Sequence, residues 1–234
     1  MVNVNYSDIA SFFSFERTQE RKGFESLIEN ESGNALDFPC ASGFRLKSLI
    51  KRHNVVYAAD LSEKMLELCS IEIGNLDGNS NIELVKLNLK DIEKLGRKFD
   101  VVYILEYAIQ FLSELEVKEL LRKLKYLSDK VFIEIYDYSY KGSSNYSERL
   151  LIDNQEIFLK KNYFHSDGKV HMKKIYKING ENYTQELLMY NYKLSEILKI
   201  FENNNMKVCG VYKNYFKVIQ DGSSPRSILE ICNM

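Results

Sequence analysis

The chain has 234 residues, 28% charged and 45% hydrophobic, with a formal net charge of −1 at pH 7. That length suits one domain, or one domain with an elaborated lid, and the charge balance gives no electrostatic case for nucleic acid or an anionic membrane as a partner. No apolar stretch is long enough to span a bilayer and no signal-peptide core stands at the start, so a cytoplasmic location is the default. The four cysteines, Cys40, Cys69, Cys209 and Cys232, form no C-x-x-C pair, which predicts four reduced, buried residues and neither a zinc site nor a disulfide framework.

Residues 1–34 read as a helical arm with Phe12, Phe13, Phe24, Leu27 and Ile28 apolar, broken at Ser32-Gly33-Asn34. Ala35-Leu36-Asp37-Phe38 is a short buried strand. A turn of small residues, Cys40-Ala41-Ser42-Gly43, leads from it into a helix with Leu46, Leu49 and Ile50 at helical spacing. Such a turn lets a ligand approach the backbone and the positive end of a helix. Val55–Asp60 is the next strand, ending in a carboxylate suited to two ribose hydroxyls. Ser62 caps a helix carrying Met65, Leu66 and Cys69 inward.

Ile82–Leu87 and Phe99–Leu105 are further strands, the second a continuous apolar run of the kind found in a central parallel strand. Ser113-Glu114-Leu115-Glu116 is a capping box opening a helix with Val117, Leu120, Leu121, Leu124 and Leu127 on one stripe. Val131–Ile135 completes the βα alternation. Between about 150 and 192 the signals become antiparallel: Asp167-Gly168 and Asn179-Gly180 are hairpin dipeptides between strands near Gln155–Phe164, Lys169–Ile178 and Tyr183–Tyr192. A helix with Leu194, Ile197, Leu198 and Phe201 follows, then strands near Lys207–Tyr215 and Ser227–Cys232.

The Asp37–Gly43 turn followed by Asp60 resembles the class I methyltransferases that use S-adenosylmethionine, whose motif runs Asp-x-Gly-Cys-Gly-x-Gly. Asp37, Cys40 and Gly43 match, while Pro39 and Ala41 stand where that family has glycine; the alanine is compatible if its φ is negative. A nicotinamide-dehydrogenase reading fails because the three glycines of G-x-G-x-x-G are absent. Tyr6-Ser7-Asp8-Ile9-Ala10, Asp60-Leu61-Ser62-Glu63-Lys64-Met65-Leu66, Leu95–Asp100 and the insert after Glu134 extend the resemblance to the aminosugar N,N-dimethyltransferases, which act on nucleotide-linked sugars. Related domains methylate peptide amino termini and other small natural products.

The resemblance implies an α/β, Rossmann-like sheet with helices on both faces and an antiparallel layer inserted after the fifth strand. The chain then divides into a helical arm (1–34), a cofactor-binding core (35–149), an insert over the active site (150–192), and a C-terminal helix with strands completing the sheet (193–234). It implies S-adenosylmethionine as cofactor. Asp37 would organise the methionine end, and Cys40, Ala41 and Gly43 would line it. Asp60 would hold the ribose, Leu61 and Met65 the adenine faces, and Asn88 and Leu89 the adenine edge, with Asp91 the alternative; Leu105 closes the set.

Methyl transfer needs an electron pair placed in line behind the methyl, a proton acceptor and aromatic faces for cationic groups. The candidates are Tyr6, Tyr107, Glu134 and Asp137 for catalysis, and Gln110, Tyr136 and His165 for substrate, with no metal. Arg17 and Arg21 are one helical turn apart on the arm and suit a carboxylate or phosphate. The basic residues show no cluster for a diphosphate. The expected activity is N-methylation of a small-molecule or peptide amine; an O-methyltransferase and a non-catalytic binding protein, in which the insert supports dimerisation, are the alternatives.

Overall fold

A computed structural model describes residues 2–3, 18–76, 81–140, 145–152, 155–178 and 180–232. Among the described residues, a strand, β1 (Val2–Asn3), and a helix, α1 (Thr18–Leu27), precede the alternating core. The core runs β2 (Asn34–Asp37), α2 (Leu46–Leu49), β3 (Val55–Asp60), α3 (Glu63–Gly74), β4 (Ile82–Lys86), β5 (Val101–Ile104), α4 (Glu114–Leu127) and β6 (Lys130–Tyr136). Four strands follow, β7 (Asn145–Ile152), β8 (Gln155–Ser166), β9 (Lys169–Ile178) and β10 (Glu181–Tyr190), and then α5 (Leu194–Asn203), β11 (Val208–Tyr212) and β12 (Arg226–Cys232).

Seven strands form one sheet in the order β11-β12-β6-β5-β2-β3-β4. The five from β4 to β6 are parallel, whereas β12 is antiparallel to both β6 and β11. Strand alternation divides the core between two faces. Leu36, Ile104 and Ile133 face α4 and α5, while Ala35, Tyr103 and Phe132 face Phe24 and Leu27 of α1 and Leu46 and Leu49 of α2. The expected caps form: Ser62 Oγ accepts from the Met65 N–H, and Ser113 and Glu116 make a reciprocal capping box.

The chain reverses its direction of winding between β2 and β5. Beyond β2 the Phe38 N–H still bonds to the Tyr103 carbonyl of β5, whereas the Cys40 N–H bonds to the Ala59 carbonyl of β3. The loop therefore crosses the switch point, where open parallel sheets bind ligands.

The second sheet has the order β1-β10-β9-β8-β7. Its hairpin at Asp167-Gly168 puts both residues at positive φ, as the dipeptide predicts; Asn179 lies outside the described residues. Two strands were not evident in the sequence. β7 begins with the polar run Asn145-Tyr146-Ser147-Glu148-Arg149, which carries no alternation, and its register comes from β8. β1 pairs in parallel with β10 through Val2 and Asn3, within the segment expected to be helical.

The cysteine expectation is corrected in part. Cys40 and Cys69 are buried and free, but Cys209 and Cys232 are joined as a disulfide. Antiparallel pairing of β11 with β12 brings their Cα atoms to 6.1 Å, within disulfide range, across 23 residues of sequence. No described helix is long and apolar enough to cross a membrane.

Candidate active site

A cavity of about 810 Å³ opens at the carboxyl ends of the parallel strands. One wall is made by the ends of β2, β3 and β5, and the other by β8, β9 and β10 of the second sheet, so the insert covers the switch point. The volume is within the range of small-molecule sites.

Asp60 lies on the strand-end wall and is 6% exposed. Its Oδ2 accepts from the Ala41 N–H at 3.0 Å and its Oδ1 from the Ser62 N–H at 2.8 Å. Each carboxylate oxygen keeps a second lone pair for an incoming hydroxyl. Burial pushes the Asp60 carboxyl above its ordinary value, opposed by these backbone hydrogen bonds. Ala41 has φ +50°, not the negative value expected, so this position carries a side chain in the left-handed region. The Asp60 hydrogen bond fixes that peptide.

Gly43 does not line the cavity. A Cβ there would stand 2.9 Å from Cys69 Sγ and 3.0 Å from Leu46 Cδ1, and φ is +85°. The glycine thus lets α3 approach the turn. Gly43→Ala is expected to lower stability by about 1–3 kcal/mol, read as a reduced urea midpoint at unchanged m-value. Cys40 is buried behind the loop, and its thiol is pushed up by its hydrogen bond to Cys69 and then by burial.

Leu61 is 60% exposed on the cavity wall, and Asn88 and Leu89 line it beside Leu61. Asn88 caps the following turn, its Oδ1 accepting from the Lys90 N–H. Met65 and Leu105 are fully buried in the protein and do not reach the cavity. Asp91 instead pairs with Lys94 on the surface.

Asp37 is also withheld from the cavity. It is completely buried and held by Arg45, whose Nε and Nη2 lie 3.0 and 2.8 Å from Asp37 Oδ1. Burial still pushes the Asp37 carboxyl above its ordinary value, with Arg45 opposing. The other edge of the Arg45 guanidinium donates to Glu106 Oε1 at 3.0 Å, and Glu106 lines the cavity. Asp37 therefore orients Arg45, and Arg45 presents Glu106.

Glu106 and Tyr107 are consecutive residues at φ +61° and +58°, a costly conformation that needs support. Glu134 supplies part of it. The Glu106 N–H donates to Glu134 Oε2 at 2.8 Å, the same oxygen accepts from Tyr215 Oη at 2.9 Å, and Arg226 Nε lies 3.1 Å from Glu134 Oε1. Arg226 Nη2 also donates to the Tyr107 hydroxyl at 2.8 Å. Glu134, expected as a pocket acid, is thus a buried bracket behind the strained turn and does not line the cavity.

The bracket aims an aromatic series into the cavity. Tyr107 meets Tyr136 edge-on with centroids at 5.4 Å; Tyr136 and Tyr138 are at 4.7 Å, and Tyr138 and Tyr163 at 5.7 Å. Burial raises the Tyr136 and Tyr138 hydroxyl pKa values, so both stay protonated at neutral pH.

Three other predicted substrate or catalytic residues are not at the wall. Gln110 is fully buried; its amide bonds to both backbone groups of Tyr136 and to the Tyr190 carbonyl, tying the two sheets together beside the cavity. Asp137 Oδ1 caps the Ser139 N–H, and His165 sits across from Val170 near the Asp167-Gly168 turn. Tyr6, Arg17 and the side chain of Arg21 lie outside the described residues. Sequence reading gave no role to Glu106 or Tyr138, although both fall in the strand-end segments Leu105–Gln110 and Glu134–Tyr138 where it expects the ligand, and Arg45 carried no signal at all.

By sequence, residues 35–128 match the family model of a methyltransferase domain. No curated protein matches the chain by sequence. Among solved structures, an S-adenosylmethionine-dependent methyltransferase from Clostridium acetobutylicum superposes with TM-score 0.81 at 15% identity, over 97% of this chain and 98% of that one. The sugar N-methyltransferase KedS8 from Streptoalloteichus gives 0.75 at 13% identity, over 100% and 94%. The glycopeptide N-methyltransferase MtfA, complexed with S-adenosylmethionine, gives 0.60 at 12% identity, over 99% and 95%. The fold is that of these methyltransferases, with the antiparallel layer included.

Proposed function

We propose that this protein transfers a methyl group from S-adenosylmethionine to an amine of a small molecule or peptide. The observation that carries this reading is the cavity at the switch point. It joins a carboxylate at the end of β3 to a tyrosine-lined chamber roofed by the insert. The donor set suits the cofactor: Asp60 for two ribose hydroxyls, exposed Leu61 and Leu89 for a flat apolar base, and the Glu106 carboxylate for the cationic amino group of the methionine end. When bound, the cofactor supplies an electrophilic methyl on a sulfonium. The fold shared with a sugar and a glycopeptide N-methyltransferase supports an amine as acceptor.

The protein's own contribution is placement. Tyr107 and Tyr136 present aromatic faces and edges that tolerate sulfonium and alkylammonium charge, and burial keeps the Tyr136 hydroxyl protonated, so that it does not compete as a nucleophile. Orienting a neutral amine behind the methyl group is worth roughly 7–11 kcal/mol in well-aligned systems, so no strong base is required. The insert supplies the far wall.

The test is a calorimetric titration with S-adenosylmethionine, followed by incubation with a panel of amines and mass detection of added methyl groups. Saturable binding and a product one methylene heavier are expected. Absence of binding both alone and with the amines would favour a non-catalytic binding protein instead. Glu106→Gln keeps the size and one acceptor but removes the charge. Cofactor affinity is expected to fall about 10-fold, because a hydrogen bond to a charged group contributes about 1.5–3 kcal/mol. An unchanged affinity in that variant would remove Glu106 from the cofactor set.

A further inference from the structure

Tyr138 is a buried phenol in an apolar setting. It stands just beyond β6, 5% exposed, and packs in one hydrophobic cluster with Tyr163, Val170, Met172 and Met189 of the insert. Its backbone is fixed. The Tyr138 N–H donates to Asn191 Oδ1 at 2.8 Å, and Asn191 in turn donates to the Gly168 carbonyl and to Ser139 Oγ. The ring is thus held between the two sheets, with the Tyr136 and Tyr163 centroids 4.7 and 5.7 Å away.

The hydroxyl is less well served than the ring. Among the described residues its one hydrogen-bond acceptor is the Met189 thioether, with Oη 3.8 Å from Sδ. A thioether is a weak acceptor, and burying a hydroxyl without a full partner costs stability. Elsewhere the fold gives buried phenols an oxygen: Tyr192 Oη donates to the Leu112 carbonyl at 2.7 Å, and Tyr215 Oη to Glu134 Oε2 at 2.9 Å. A phenylalanine would fill the Tyr138 position with the same apolar contacts, so packing does not require the hydroxyl. Under-served polar groups in a native structure point to something that completes them. Tyr138 and Met189 both line the cavity, which is where such a partner enters. Burial pushes the Tyr138 hydroxyl pKa up, so it remains a donor at neutral pH.

We propose that Tyr138 Oη is a specificity-determining hydrogen-bond donor to the methyl acceptor: the acceptor carries a hydroxyl or carbonyl oxygen besides its amine, and that oxygen replaces the Met189 thioether as the partner of Tyr138. The inference deepens the amine-methylation reading and rests on it for the identity of the acceptor. It adds an orientation. Tyr136 is one ring contact from Tyr138 and Tyr107 is two, so the oxygen is held on the insert side and the amine lies towards Tyr107.

The experiment titrates cyclohexylamine, the 2-, 3- and 4-aminocyclohexanols and 4-aminocyclohexanecarboxamide into the full chain by calorimetry, with and without S-adenosylhomocysteine. S-adenosylmethionine is titrated in a parallel arm. At least one oxygen-bearing probe is expected to bind about 3- to 10-fold more tightly than cyclohexylamine, the gain from one neutral hydrogen bond. Which probe gains distinguishes a hydroxyl from a carbonyl. In Tyr138→Phe that preference should vanish, while cyclohexylamine and S-adenosylmethionine affinities are retained. The urea midpoint of the variant should be unchanged or raised at constant m-value, because the bond lost is one to a thioether. A hydroxyl with a purely structural role predicts the reverse, a lowered midpoint. No binding of any probe by the wild type, binding without preference for oxygen, a preference that survives in Tyr138→Phe, or a lowered midpoint would overturn the assignment. Absence of S-adenosylmethionine binding by the wild type would instead overturn the methyltransferase reading and leave the oxygen preference standing.

Discussion

Asp60→Ala is expected to weaken S-adenosylmethionine binding at least about 100-fold, from two lost charge-assisted hydrogen bonds of about 1.5–3 kcal/mol each. A second effect adds to it. Asp60 Oδ2 fixes the Ala41 N–H, and Ala41 is held at φ +50°, so the shortened side chain also releases the loop that lines the site. Asp60→Asn separates the two contributions. Its amide oxygen can accept from Ala41 or Ser62 but not both, because the NH2 group must then face the other N–H. An affinity between those of wild type and the alanine variant is the expected result. Calorimetry gives the affinities, and a thermal scan of each unliganded variant establishes that the fold is retained. Wild-type affinity in the alanine variant would mean that Asp60 serves only the loop.

Arg45→Met is expected to cost about 3–5 kcal/mol of folding stability, the usual result of removing one partner from a buried ion pair. Arg45 is 1% exposed and its guanidinium reaches Asp37, the Pro39 carbonyl and Glu106 together. A lysine has one point charge and cannot reproduce that fork, so Arg45→Lys should recover little. Asp37→Asn added to Arg45→Met removes the stranded charge and should restore part of the loss. Denaturant titration of the three variants checks the order.

The pH dependence provides a separate readout. The folded pKa of Asp37 lies above its ordinary value of 3.8. Between those two values the native state holds the extra proton, so stability falls as pH rises through the window and stays lower above it. Without Arg45 the folded pKa moves higher still and the window widens. The deficit of Arg45→Met relative to wild type is therefore largest near neutral pH and shrinks on acidification. A deficit independent of pH would show that lost packing, not the Asp37 charge, dominates.

Both predictions concern residues whose roles were unequally visible in the sequence. Asp60 was legible because an acid closing an apolar strand, three residues before a helix opened by Ser62, is a local pattern. Asp37 was legible as a residue but not as a role: nothing local reveals that Arg45 turns back to cover it. Glu134 shows the same limit from the other side. Alternation along β6 could not say which face it takes, and pairing with β12 brings Arg226 against it, behind the strained turn.

What the sequence by itself determined is what depends on neighbours a few residues apart. The apolar runs of β5 and β6, the helical stripe of α4, the caps at Ser62 and Ser113, and the Asp167-Gly168 turn are set by backbone geometry within one turn or one hairpin. Only the tertiary structure decided the strands β1 and β7, the Cys209–Cys232 link, the withdrawal of Asp37 and Glu134, and the exposure of Glu106 to the cavity. Each of these is a matter of register or of which buried charge finds which partner. Both are set by burial across the whole sheet, where a shift of one residue would turn every side chain to the opposite face.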